Sequence, residues 1–228
     1  MNILITGGTG FIGTALVPAL LAQQHDVTVL TRDVKGADRH FQGKVSCVDT
    51  LASVADPEVI INLAGESIAG GRWTQERQKA LLDSRIDTTQ QLLDAIPNFS
   101  VKPKLLLSAS AVGYYGHSDN LSLTEQSQSQ TDGFDVELCK AWEAKALEAE
   151  VIGLRVCLLR IGIVLEQGGG ALQPMLMPFR LGLGVRLGTG RQWMSWIHLQ
   201  DVIGIIQHSI TNENISGADK CYRPESSH

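Results

Sequence analysis

Apolar positions along the chain fall into short unbroken runs separated by longer stretches with helical spacing. NILIT (2–6), DVTVLTR (26–32), KVSCVD (44–49), EVIINLAG (58–65), KLLLSAS (104–110) and GLRVCLLRIGIVL (153–165) read as strands. FIGTALVPALLAQQ, TQERQKALLDSRIDTTQQLLDAI and DVELCKAWEAKALEAE read as helices between them. Strands that are apolar throughout are buried on both faces. Alternating with helices, they predict an α/β architecture with a parallel sheet covered on both sides. The polar stretch 117–133 and GGG at 168–170 read as loops. Residues 171–195 show no clear period, and 195–210 predict a short strand leading into a helix.

The first strand runs straight into TGGTGFIG, where Gly7, Gly10 and Gly13 are spaced three apart before the first helix. A tight turn, a close approach of backbone to a pyrophosphate and tight packing of helix on strand each need a residue without Cβ. The helix N-terminus adds N–H groups and a positive dipole end. This strand–loop–helix order predicts a dinucleotide site built from Gly7, Thr9, Gly10, Phe11, Ile12 and Gly13. The expected fold class is therefore a Rossmann-type doubly wound parallel sheet. The second strand ends in Thr31 and Arg32 rather than an acid. An arginine there grips a ribose 2′-phosphate, so NADP is the expected cofactor. NAD stays open, because Asp33 reaches a 2′-hydroxyl if the register slips.

Composition narrows the rest. The 228 residues are 43% hydrophobic and 19% charged, ordinary for a globular protein, and long enough for one large domain or a domain with a small lobe. A net charge of −5 gives no broad attraction for nucleic acid or anionic lipid, and neither is an expected partner. Cys47, Cys139, Cys157 and Cys221 are scattered, without metal-site spacing, and point to reduced thiols in the cytoplasm. The first 24 residues are uncharged, but GGTG interrupts them and no basic start precedes them. Neither a signal peptide nor a membrane span is expected.

TGGTGFIG, NLAGESIAGGRW, SASAVGYYG and W-I-H-x-x-D at 196–201 together resemble the atypical extended short-chain dehydrogenases/reductases of the epimerase family, over about residues 1–215. The resemblance implies an NAD(P)-binding domain over 1–165 and a smaller substrate lobe, partial here, over 166–228, interleaved into one compact unit. By the same resemblance Asp49 contacts the adenine amino group, and Asn62, Leu63, Ala64 and Gly65 lie along the adenosine side. A helix cap is the alternative for Asp49. Ser110, with Ser108 in reserve, bonds the substrate oxygen. Arg160 and Gly162 border the substrate entrance. His198 and Asp201 match the IH-x-x-D segment, with a capped helix start as the alternative.

The resemblance also implies a Y-x-x-x-K helix, whose lysine holds the nicotinamide ribose and tunes the tyrosine. Lys140 matches the lysine, but the tyrosine position is Val136, which cannot exchange a proton. Tyr114 and Tyr115 are the nearest replacements, with packing as the alternative for both, and Glu66 is another. Trp73, Trp142, Trp193 and Trp196 either line a sugar site or pack. The ending ISGADKCYRPESSH reads as a shortened lobe, which predicts exposed apolar surface and either lower stability or association with a second copy. Two functions follow. One is an NADP-dependent oxidoreductase or epimerase acting on a small polyhydroxylated substrate such as a nucleotide sugar. The other is a non-catalytic dinucleotide-binding module.

Overall fold

The computed structural model describes residues 1–68, 71–118, 121–184, 186, 190 and 192–221, with side chains up to 218. Seven parallel strands form the central sheet: β1 (Asn2–Thr6), β2 (Asp26–Leu30), β3 (Ser46–Val48), β4 (Val59–Asn62), β5 (Leu105–Ala111), β6 (Arg155–Ile161) and β10 (Gly217–Cys221). Their order is β10-β6-β5-β4-β1-β2-β3. The chain builds outward from β1 to one edge, then returns to β4 and builds outward to the other. The carboxyl ends of β1 and β4 therefore flank the point where the winding reverses, the place where open α/β sheets hold ligands.

Alternation within the strands sorts the core onto two faces. Ile3, Ile5, Ile61, Leu105 and Leu107 pack beneath α1 (Phe11–Ala22), α2 (Val34–Phe41) and α6 (Leu199–Thr211). Leu4, Ile60, Leu106, Val156 and Leu158 face α3 (Gln75–Ala95) and α4 (Phe134–Val151). On this second face the same alternation brings Thr6, Asn62, Ser108, Ser110 and Arg160 to the carboxyl end of the sheet, all buried. Polar groups so placed must find partners, and those partners shape the site.

The run at 153–165, expected as one strand, is two. It leaves the main sheet after Ile161 and resumes beyond Gly162 as β7 (Ile163–Glu166) in a three-stranded sheet with β8 (Gly169–Gly170) and β9 (Trp196–His198). Two glycines expected in a loop thus form a short antiparallel pairing with Leu165 and Glu166. The aperiodic segment contains α5 (Leu172–Arg180), and α2 joins β2 to β3 where no helix was expected. Among the described residues no helix is long and apolar enough to cross a membrane.

Candidate dinucleotide and catalytic site

Gly7 takes φ +70°, and a Cβ there would lie 2.6 Å from the Leu63 carbonyl. A Cβ at Gly13 would lie 2.5 Å from Gly7 O and Gly8 Cα, so α1 rests directly on the loop. The turn closes as Gly10 N–H donates to Gly7 O (2.9 Å). No side chain caps α1, which leaves its first-turn N–H groups to an outside acceptor. Phe11 lies under the β7–β8 hairpin, where a Cβ at Gly169 or Gly170 would come within 2.9 Å or 2.6 Å of its ring. Thr9 is exposed and Ile12 half-buried. These contacts form a close-packed cradle with no room for added methyl groups.

Arg32 is exposed at the end of β2. Asp33 is engaged elsewhere: its Oδ1 accepts from Gly36 N–H (2.9 Å) and caps α2. Asp49 is exposed on the rim of a cleft of about 650 Å³ between residues 49–54 and the end of α3. The neighbouring Thr50, not Asp49, caps the short helical turn that follows. Asn62 Oδ1 accepts from Thr6 Oγ1 (2.6 Å) and Ala64 N–H (3.3 Å), while its Nδ2 donates to Thr89 (2.9 Å). That side chain locks the turn carrying Leu63, Ala64 and Gly65 between β1 and α3. Glu66 is ion-paired with Arg77 (2.7 Å).

At the end of β5, Ser110 Oγ donates to Glu143 Oε1 (2.6 Å). Arg160 closes a two-pronged pair with the same carboxylate, Nε to Oε1 and Nη2 to Oε2, both 2.8 Å. Its Nη1 donates to Tyr115 OH (2.8 Å) and Glu125 O (3.0 Å), and its guanidinium stacks on the Tyr114 ring at 3.4 Å. Burial disfavours the Arg160 charge, but the hydrogen bonds to Glu143 and Tyr115 and the Glu143 charge outweigh it and push the pKa up. Tyr114 is half-buried; Ser110 and Tyr115 are buried.

Val136, Cys139, Trp142 and Glu143 share the buried face of α4. Burial, then the Glu143 charge, pushes the Cys139 thiol up to about 11, against the lowering effect of its backbone hydrogen bond with Ala111. Lys140 is exposed and, among the described residues, makes no bond to the Ser110–Glu143–Arg160 cluster. Ser108 donates only to a neighbouring carbonyl, Ala109 O (3.3 Å). His198 caps α6, its Nδ1 accepting from Gln200 N–H (3.2 Å), and Nε2 meets Glu166 at 3.3 Å. Asp201 lies in the first turn of that helix. Trp142 is buried, while Trp73 is exposed and edge-on to Phe134.

Sequence reasoning missed Glu143 and Arg85. Each had a legible signal, a charge set within the apolar spacing of a helix, which burial tolerates only with partners. Among the described residues, no cluster of three His, Cys, Asp or Glu is placed to hold a metal.

A parallel doubly wound sheet with a glycine cradle at its winding reversal defines the class: a Rossmann-type α/β protein. The chain belongs to the NAD dependent epimerase/dehydratase family, which it matches over residues 3–220. It is 39% identical to the epimerase family protein YfhF of Bacillus subtilis, over 95% of this chain and 72% of that protein. The structure of human epimerase family protein SDR39U1 (isoform 2) with NADPH superposes with a TM-score of 0.86 at 37% identity, covering 100% of this chain and 76% of that one. A nucleoside-diphosphate sugar epimerase from Corynebacterium glutamicum gives 0.80 at 29%, covering 100% of this chain and 47% of that one.

Proposed function

We propose that this protein is an NADP(H)-binding oxidoreductase of epimerase type, acting on a small polyhydroxylated substrate such as a nucleotide sugar. The observation that carries the reading is the cradle in which Gly7, Gly13 and the 63–65 turn meet without room for a Cβ, beside an uncapped helix N-terminus. The NADPH named with human SDR39U1 and the sugar-nucleotide activity named for the C. glutamicum relative support it. So does the exposure of Arg32 beside an Asp33 already used as a cap. Reduced thiols accord with a cytoplasmic setting; Cys47, Cys139 and Cys157 are unbridged.

In this reading Gly7, Thr9, Gly10, Phe11, Ile12 and Gly13 bind the pyrophosphate and Arg32 the 2′-phosphate. Asp49, Leu63, Ala64 and Gly65 take the adenosine side, and Lys140 the nicotinamide ribose. A bound nicotinamide supplies hydride exchange. Ser110, aimed by Glu143, orients the substrate oxygen. Tyr114 or Tyr115 moves the proton, with Tyr114 the less buried of the two. Residues 166–228 contribute the partial substrate-side lobe, with interleaved elements such as β10 returning to the main sheet.

Titration with NADPH and NADH tests the cofactor assignment. The expected result is tighter binding of NADPH, with the preference lost in Arg32→Ala. Equal affinities in the unaltered protein would overturn the NADP assignment, and no binding would overturn the reading. For the chemistry, a double Tyr114→Phe, Tyr115→Phe variant is expected to lose turnover, and full turnover rules both tyrosines out. A specific observation favours the second reading, a non-catalytic binder. Val136 is packed where the tyrosine is expected, and Ser110 and Tyr115 are enclosed in an ion-pair network. Intact NADPH binding without deuterium transfer from labelled NADPH to any sugar or carbonyl would establish that alternative.

A further inference from the structure

The three glycines at 168–170 have unlike surroundings. Among the described residues, a Cβ at Gly168, on the turn of the β7–β8 hairpin, would have nothing within 4 Å. A Cβ at Gly169 would lie 2.9 Å from Cε2 and 3.1 Å from Cδ2 of the Phe11 ring. One at Gly170, where φ is +62°, would lie 2.6 Å from Phe11 Cε1 and 3.0 Å from Val164 O. Two successive residues thus grip one aromatic ring with bare backbone, and a methyl group added at either must displace the ring.

Both sides of this contact are held. Phe11 is the first residue of α1, so its ring leaves the helix at the turn whose N–H groups no side chain caps. One turn further on, a Cβ at Gly13 would lie 2.5 Å from Gly7 O, which leaves the start of the helix no slack. The hairpin is anchored from the far side. Glu166 pairs with Gly169 across the strands, and its carboxylate meets the His198 ring at 3.3 Å. Leu165 pairs with Gly170 and with His198 of β9, and His198 caps α6. Gln173 of α5 donates to Gln167 O at the hairpin turn. A ring lodged between a fixed hairpin and a fixed helix start cannot shift without moving one of them.

We infer that the β7–β8 hairpin is a working part of the dinucleotide site: Gly169 and Gly170 seat the Phe11 ring and so fix the first-turn N–H groups of α1. The two glycines are positioning residues that act through Phe11, and the hairpin need not touch the ligand. The inference rests on the dinucleotide reading above. It also ties the cofactor loop to the three-stranded sheet of the substrate side, because the hairpin supplies two of that sheet's strands.

The unlike glycines supply the test. NADPH affinity and melting temperature are measured for the unaltered protein, Gly169→Val, Phe11→Ala, the double variant of these two, and the turn control Gly168→Val. Neither Gly168 nor Gly169 has a left-handed backbone, so the two valines differ in whether they meet the ring. Gly169→Val is expected to weaken NADPH about tenfold or more, while Gly168→Val stays within about twofold of the unaltered protein. The double variant should bind NADPH as Phe11→Ala does, because the valine then has no ring to displace. Unchanged affinity in Gly169→Val overturns the proposal even where the melting temperature falls, since that is packing with no bearing on the site. So do losses that add in full in the double variant, or an equal loss in Gly168→Val. If Phe11→Ala binds too weakly to measure, Gly169→Val against Gly168→Val decides. If Gly169→Val fails to fold, Gly169→Ala takes its place, with a loss of about threefold expected and no loss overturning the proposal. An unaltered protein that does not bind NADPH refutes the dinucleotide reading itself, an outcome distinct from failure of the hairpin assignment.

Discussion

Single residues carry the strongest constraints. Gly7 is left-handed and touches Leu63, so Gly7→Ala is expected to cost about 1–3 kcal/mol and to remove nucleotide binding; chemical denaturation and titration check the two effects. Glu143 and Arg160 form a buried pair whose members cannot be separated cheaply. Arg160→Met leaves a buried carboxylate without its cation and should lower stability by about 3–5 kcal/mol, measured by urea denaturation. Cys139 adds a pH signature. Its thiol is raised from an ordinary 9.0 to about 11 in the native protein, so the unfolded chain releases that proton first as pH rises. The contribution is present in full below about pH 9 and is lost between about 9 and 11. Cys139→Ala should flatten the fall in stability over that window relative to the unaltered protein, and a matching slope in both would contradict it.

At the scale of elements, caps and faces matter more than individual contacts. Asp33 starts α2, and Asp33→Ala should cost about 1 kcal/mol without weakening NADPH, since its carboxylate already serves Gly36. An Asp33 that instead held the ribose would show itself as lost affinity. Helix α4 tests the missing tyrosine directly. Val136 is buried, and a Cβ on Gly116 would already come within 3.2 Å of its side chain, so the helix has closed over that position. Val136→Tyr is expected to destabilise by about 1–3 kcal/mol and to create no new turnover; a gain in hydride transfer would show that the pocket opens there. The division of 153–165 into β6 and β7 belongs to this scale too. Apolar spacing continues through Gly162, but the pairing partner changes from β5 to β9, and spacing along one strand carries no information about its neighbour.

For the molecule as a whole, the sheet order brings distant segments to one rim, while α5 and the residues just after it expose apolar side chains. Met177, Phe179, Leu181 and Leu183 are all more than half exposed, and three of them, Met177, Leu181 and Leu183, line a groove of about 690 Å³ with Gln173, Pro174 and Pro178. An apolar surface of this kind binds hydrophobic dyes. A Leu181→Asp, Leu183→Asp double variant should lose much of that dye fluorescence with its melting temperature nearly unchanged, whereas an unaltered signal would place the exposed surface elsewhere.

The sequence by itself determined the parallel α/β fold, the glycine cradle and the family, because these rest on short-range facts: the period of apolar residues and the sterics of residues without a Cβ. It also exposed the absence of a tyrosine at position 136. Tertiary structure alone decided the partners of the polar groups. Ser110 meets Glu143 across 33 residues and Arg85 meets the Glu66 carbonyl across 19, pairings that exist only because α3 and α4 lie on one face of the sheet. Asp33 became a cap and Lys140 fell on the exposed side of α4 for the same reason: a side chain's role follows from the face its element turns to its neighbours, which packing sets and local spacing does not.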